Sequence, residues 1–271
     1  MRFFDSHAHY YDNRFSEECG EGVDALLARL FSESVSGIVN VGTSPDTCRA
    51  AIRQAKAYPH MYTALGIHPT DGQSLCDPDA ALSEIEEMIS DPQNKCVAIG
   101  EIGLDYHYPD TDKEKQAYLF ERQLTLAAKL GLPVVIHDRE AHGDVMDAIL
   151  RHPEVHGVLH SFSGSPEMAK ELVRLGYYIS FSGTLTFQNA RKTVESAAAV
   201  PPERILIETD CPYLAPHPLR GTLNHSGNLL YTCSRLAGIL GIDPESAARL
   251  TEENARRFFS LREEDLSAAD A

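Results

Sequence analysis

A single-domain (β/α)8 barrel is the fold class that these 271 residues predict, on three observations. Short apolar runs, rich in β-branched and aromatic residues, recur eight times and alternate with helical patterns. Several runs are apolar on both faces, as buried parallel strands must be. The alternation fills roughly 250 residues, the usual span of such a barrel. A doubly wound sheet is the competing architecture, but no Gly-x-Gly-x-x-Gly follows a strand and no P-loop is present.

In chain order the strands are expected near Phe3–Ser6, Gly37–Val41, Met61–Leu65, Val97–Gly100, Pro133–Ile136, Gly157–Leu159, Tyr178–Phe181 and Ile205–Glu208. Helix starts are marked by a capping residue followed by proline: Ser44-Pro45, Asp77-Pro78, Ser165-Pro166 and Asp243-Pro244. The cap oxygen accepts an orphan amide hydrogen, and proline suits the first helical position because its missing N–H is no loss there. Between Asp112 and Leu130, Ala117, Phe120, Leu124 and Ala127 repeat at helical spacing, and Gly131 with Pro133 ends the pattern. Ser165–Leu175 stops at Gly176 in the same way. The glycines of Gly100-Glu101-Ile102-Gly103 are read as permitting a tight turn. One domain spans residues 1–261; residues 262–271 read as an acidic, loose tail.

Composition narrows the functional classes. Hydrophobic content of 43% and charged content of 24% are those of a soluble globular protein. No apolar run approaches the roughly 20 residues of a membrane helix, and Asp5 interrupts any signal-peptide core, so no membrane association is expected. Six scattered cysteines without a Cys-x-x-Cys pair suit a reducing cytoplasm, not a disulfide framework or zinc ribbon. A monomer is expected. The net charge of −16 counts against a broad basic nucleic-acid footprint, though bound cations can supply positive charge locally.

The residues that close the apolar runs carry the chemistry. His7 and His9 stand two apart, so an extended backbone aims both imidazoles at one point. A lone His-x-His is also met as two unrelated histidines. Here, however, further candidates end other runs: Glu101, His137, His160 and Asp210. Barrel active sites lie at the carboxyl ends of the strands, which brings these six together. Six ligands exceed the needs of one catalytic ion but suffice for two, about 3.5–4 Å apart and bridged by a carboxylate. Glu101 is the natural bridge. His7, His9 and Asp210 are assigned to one ion, because the first and last strands adjoin in a closed barrel, and His137 and His160 to the other. Two divalent cations against two carboxylates leave about +2 in the site, which suits hydrolysis of a phosphate ester.

Taken together, Asp5-Ser6-His7-Ala8-His9, Gly66-Ile67-His68-Pro69, Gly100-Glu101-Ile102-Gly103-Leu104-Asp105-Tyr106, Leu132-Pro133-Val134-Val135-Ile136-His137, His160-Ser161-Phe162-Ser163-Gly164-Ser165 and Glu208-Thr209-Asp210-Cys211-Pro212-Tyr213-Leu214-Ala215-Pro216 resemble the TatD family of metal-dependent deoxyribonucleases. The resemblance runs from Phe4 to about Phe259. It implies an amidohydrolase-type TIM barrel that hydrolyses DNA, often trimming single strands from the three-prime end, with two divalent ions (Mg, Mn or Zn) held by the six residues above. It also implies that Asp210 doubles as proton acceptor for the attacking water. His68 matches a family histidine near the metals and is read as a phosphate or leaving-group contact; a turn role before Pro69 is the plainer alternative. Arg139 and Arg220 are candidates to fork onto phosphate oxygens, or else surface ion-pair partners. Tyr106, Phe162, Phe181 and Tyr213 can stack bases or merely pack. One departure stands out: after Arg220-Gly221 the commoner family pattern ends Asn-Glu-Pro, whereas here Asn224 is followed by His225, Ser226 and Gly227. Imidazole-rich ligation favours zinc, manganese, cobalt or iron, while the family is commonly regarded as magnesium-dependent.

Three functions follow. The first is a two-metal phosphodiesterase acting on single-stranded DNA, with Asp210, Glu101 and His68 as catalytic groups. The second is a hydrolase of a small ester, lactone, amide or aminoacyl ester on the same barrel. The third is a non-catalytic metal-stabilised scaffold, against which the complete ligand set speaks.

Overall fold

A computed structural model of the chain describes residues 1–261, so the expected acidic tail lies outside the described residues. Eight parallel strands form one sheet in sequential order: β1 (Phe3–Ala8), β2 (Val35–Gly42), β3 (Met61–Leu65), β4 (Cys96–Asp105), β5 (Val134–Arg139), β6 (Gly157–Leu159), β7 (Tyr178–Phe181) and β8 (Ile205–Ile207). Helices alternate with them, and the sheet curls into a nearly closed barrel. Closure is made just past the last strand: the Asp210 amide donates to the His7 carbonyl at 2.9 Å, and the His9 amide to that of Cys211 at 2.8 Å.

The helix signals in the sequence act as expected. Ser44, Asp77, Ser165 and Asp243 accept amide hydrogens from Thr47, Ala80, Met168 and Ser246, at the starts of helices Pro45–Ala57, Pro78–Ser90, Pro166–Arg174 and Pro244–Phe258. Asp112 caps Lys113–Leu130, and Gly131 ends that helix with a φ of 64°.

Two apolar layers result. Alternate strand residues, including Phe4, Val39, Ala64, Val135, Val158 and Leu206, fill the barrel interior, while the opposite faces pack against the helices. The amino-terminal end is plugged by Phe258 and Phe259, whose rings lie 5.1 Å from Tyr178 and 6.1 Å from Phe4, respectively. The lower interior is therefore filled mainly by aliphatic and aromatic side chains, and the histidines and carboxylates of the strand ends gather at the opposite rim.

Strand register shifts between Phe3 and Phe4, Asp5 and Ala8, Thr63 and Ala64, and Ile99 and Ile102, and the second and fourth of these bear on the rim. In β1 the register slips between Asp5 and Ala8. Ser6 bonds inward to the Ile207 carbonyl while His7, the next residue, stacks on His160. In β4 the slip falls between Ile99 and Ile102. Ala98 faces the interior and Ile99 and Ile102 face the helices, which leaves two residues between them in place of the single one that regular pleating allows. A bulge of this kind re-aims a side chain, and here the re-aimed residues are His7 and Glu101.

This corrects the expected tight turn at Gly100–Gly103. The strand runs on to Asp105, and Glu101 lies within it. The glycines serve close backbone approach: a Cβ on Gly103 would sit 2.0 Å from the His137 carbonyl oxygen, at a φ of +136°. Gly103→Ala should therefore lower unfolding free energy by more than about 2 kcal/mol, whereas Gly131→Ala, in open space, should cost only about 1 kcal/mol. Urea denaturation of the two variants tests the contrast.

Candidate metal centre

Glu101 lies at the middle of a ring of imidazoles. Its Oε2 is 3.3 Å from His7 Nε2 and 3.7 Å from His9 Nε2. Its Oε1 is 2.8 Å from His160 Nε2, 2.9 Å from His137 Nδ1 and 3.4 Å from His68 Nε2. Asp210 Oδ1 completes the first side, 3.3 Å from His9 Nε2 and 3.6 Å from His7 Nε2. The six residues expected to converge do so, from strands that are distant in the chain. Donors that share an ion at about 2.0–2.2 Å lie close to 3 Å apart, and this is the spacing found. His7, His9 and Glu101 form one group able to hold an ion; His7 with His160 and Asp210, and His68 with Glu101 and His137, form others.

The outer nitrogens decide what the inner ones can do. His9 Nδ1 donates to the Val41 carbonyl at 2.7 Å, His137 Nε2 to Asp105 at 3.2 Å and His160 Nδ1 to Glu208 at 3.2 Å. A neutral imidazole that donates outward presents a lone pair inward, as a metal ligand must. His7 is the exception, since its buried Nδ1 has no hydrogen-bond partner. His68 is the reverse case. Its Nδ1 accepts from the Thr70 amide at 3.2 Å and so caps the short helix Pro69–Gly72. The proton is thereby left on Nε2, and His68 faces Glu101 as a donor.

Three carboxylates behind the ring escaped the sequence reading. Glu208 also accepts the Ser161 amide at 2.8 Å. Asp105 also accepts the His107 amide at 3.0 Å. Asp5 accepts from the Thr209 amide and hydroxyl and from Ser226, and so ties β1 to the segment after β8. The legible signal was a carboxylate continuing an apolar run, as in Leu206-Ile207-Glu208 and Phe3-Phe4-Asp5. Ser226 belongs to the departing Asn224–Gly227 stretch. It bonds to Asp5 and to Tyr10, while Asn224 holds the Thr209 and Tyr213 carbonyls, so this stretch braces the strand end from behind.

Burial pushes Glu101 up, but His160, His68 and His7 outweigh it and hold the carboxyl well below the usual range. Burial lowers His9, His137 and His160, yet their carboxylate partners prevail and all three end above the ordinary value. Burial takes His68 down to about 3, consistent with a neutral donor. Burial likewise raises Asp5 to about 6.

Two cavities flank the ring. One, of about 370 Å³, is lined by Tyr11, Asp12, Thr43, Asp71 and Tyr213 among others. The second, of about 360 Å³, is lined by Arg139, Ser161, Ser163 and Thr184 among others. Arg139 thus stands at the site, 4.0 Å from Asp105. Arg220 does not line either cavity and instead lies over the Phe187 ring. Of the aromatics considered for stacking, Phe181 is fully buried and lines neither cavity, which removes it as a base platform, and Phe162, 3% exposed, is a core residue that only edges the second cavity. Tyr106 is half-buried, with its hydroxyl on Asp144. Tyr213 is 45% exposed at the cavity wall.

Protons on His9, His137 and His160 stabilise the cation-free fold. With folded values raised above 6.5, that stabilisation is complete below pH 6.5 and is lost as pH rises through the folded values. Cations must displace these protons, so metal titration of the stripped protein at pH 7 should release protons, and affinity should rise with pH. Calorimetry in buffers of different ionisation enthalpy measures the release, and a value of zero would contradict the assigned pairings. Glu208→Gln, which weakens the hold on His160, should reduce metal affinity about 10–100-fold with the fold intact, as read by competition with a chelating dye.

The comparisons with known proteins agree with this geometry. The family model for TatD-related DNases matches residues 4–260. YabD of Bacillus subtilis, an uncharacterized metal-dependent hydrolase, is 37% identical over 260 residues, covering 95% of this chain and 99% of its own. YcfH of Escherichia coli K12, described in the same words, is 33% identical over 264 residues, with 96% and 97% covered. The crystal structure of YjjV, a TatD homologue from Escherichia coli K12, superposes with a TM-score of 0.88 at 30% identity, over 96% of this chain and 99% of that one. The chain belongs to the TatD-related DNase family and is a metal-dependent hydrolase.

Proposed function

We propose that the protein hydrolyses phosphodiester bonds at single-stranded DNA ends, with His7, His9, Glu101, His137, His160 and Asp210 holding two divalent cations. The observation that carries this reading is Glu101: its two oxygens face two separate histidine sets, as a bridging carboxylate requires. Divalent ions held by these residues would supply Lewis acidity toward a phosphate ester and a lowered pKa for water. The family name supplies DNA as the substrate class.

The side chains have distinct tasks. Asp210 accepts a proton from the attacking water. Burial raises its carboxyl, but His9 and its neighbours prevail and keep it ionised. Its backbone has a φ of 55°, a left-handed conformation that aspartate tolerates better than most residues, and its amide is anchored on His7. His68 offers its Nε2 proton to a phosphate or leaving-group oxygen. Arg139, 45% exposed at its side chain, supplies a cation for a neighbouring phosphate.

The test is one matrix. The stripped protein is reloaded with magnesium, manganese or zinc and offered single-stranded DNA, duplex DNA, RNA and simple esters. Cleavage should be metal-dependent and fastest on single-stranded DNA. Asp210→Asn should lower kcat by about 100-fold or more, and Glu101→Ala should abolish cleavage along with metal binding. Undiminished cleavage in Asp210→Asn would refute its role. Turnover of carboxyl esters alone would replace the nuclease with a small-ester hydrolase.

A further inference from the structure

The two cavities beside the metal centre differ in charge. They share His137, His160 and Asp210, so they are two lobes of one cleft. The lobe beside β5 to β7 contains Arg139, the hydroxyls of Ser161, Ser163, Thr184 and Thr193, and a single carboxylate of its own, Asp138, whose Oδ2 is held by His142 Nδ1 at 2.7 Å. The lobe beside β1 to β3 is lined by no lysine or arginine and adds two further carboxylates, Asp12 and Asp71. Asp12 is fixed in place, since it accepts the Arg14 amide at 2.8 Å and the Tyr213 hydroxyl at 2.6 Å. The Arg14 guanidinium, 5.7 Å from the centre of one face of the Tyr213 ring, is already paired with Glu18 at 2.7 Å and leaves the other face of that ring open to a base.

An internal nucleotide of a strand carries a phosphate on either side. With one phosphate at the metal centre, the next must lie in one lobe or the other. Arg139 and the hydroxyls suit it on one side. On the other side, Asp12 and Asp71 would set like charges against it. A sugar hydroxyl, by contrast, can donate to either carboxylate, and the exposed ring of Tyr213 offers a base platform at the wall. We infer that the β1 to β3 lobe seats the terminal nucleoside, and that Asp12 and Asp71 make the enzyme select strands ending in a hydroxyl over strands ending in a phosphate. This rests on the DNA reading above.

The experiment has two arms, both with the full-length, metal-loaded protein. In the first, kcat/KM is measured on oligonucleotides whose three-prime or five-prime end is a hydroxyl or a phosphate. In the second, equilibrium binding is measured for thymidine 5′-monophosphate, thymidine 3′-monophosphate and thymidine 3′,5′-bisphosphate. At the end that is attacked, the hydroxyl form should be preferred at least about tenfold, and the better monophosphate should bind at least about tenfold tighter than the bisphosphate. Asp12→Asn with Asp71→Asn should shrink both gaps to within about threefold, chiefly by improving the phosphate-ended ligand. The Asp12→Asn amide keeps one acceptor oxygen for the Arg14 amide, and its NH2 can donate to the Tyr213 hydroxyl oxygen in place of the bond that hydroxyl gave. Equal handling of both ends and both nucleotides by the wild type overturns the inference, as does a gap that persists in the double variant. If no oligonucleotide is cleaved but the binding gap is present and closes in the variant, the nuclease reading falls and the selection by Asp12 and Asp71 stands.

Discussion

A buried carboxylate between imidazoles organises this molecule. Glu101 is 4% exposed, at the centre of a barrel whose lower half is packed with aromatic and aliphatic side chains. An ionised carboxylate there is costly unless positive charge surrounds it. His9, His137 and His160 supply that charge when protons are bound, and divalent cations would supply it in their place. The rest of the rim serves this requirement: the slip in β4 turns Glu101 inward, the slip in β1 turns His7 toward it, and the closing hydrogen bonds between the first and last strands fix Asp210 beside His9.

The layer outside the ring is what would let the imidazoles act as ligands and not merely as neighbours. A backbone carbonyl and two carboxylates take the outer protons of His9, His137 and His160. His68 is held the other way round by the Thr70 amide and so becomes a donor. Four histidines of similar position therefore divide, by what stands behind them, into three that present a lone pair inward when neutral and one hydrogen-bond donor. His7 has nothing behind its outer nitrogen and relies on the slip in β1 and on stacking against His160, with ring centres 4.1 Å apart.

A protein of net charge −16 that is to bind a polyanion has to concentrate positive charge. In the proposed reading, divalent cations at the Glu101 ring would supply it, with Arg139 beside them. The lobe with Asp12 and Asp71 would repel phosphate more than the lobe where Arg139 stands beside Asp138. Attraction confined to the ring and one side of it would favour a chain end over a chain interior.

Much of this was legible in the chain. Eight apolar runs, proline-marked helix starts and the residues closing each run predicted the barrel and the convergence of His7, His9, Glu101, His137, His160 and Asp210, because hydrophobic periodicity and capping are local properties. Other features were not legible. The Gly100–Gly103 segment read as a turn because its glycines have no local signature for close strand approach, and that approach depends on the His137 carbonyl of the next strand. Phe162 and Phe181 look like Tyr213 in sequence, and only packing separates core from wall. The tautomers, the braces at Asp5, Asp105 and Glu208, and the unequal lobes of the cleft depend on atoms brought together across up to two hundred residues of chain. By itself the sequence determined which residues meet; the tertiary structure decided which atom of each faces inward, since strand slips and buried hydrogen-bond partners are properties of neighbours in space.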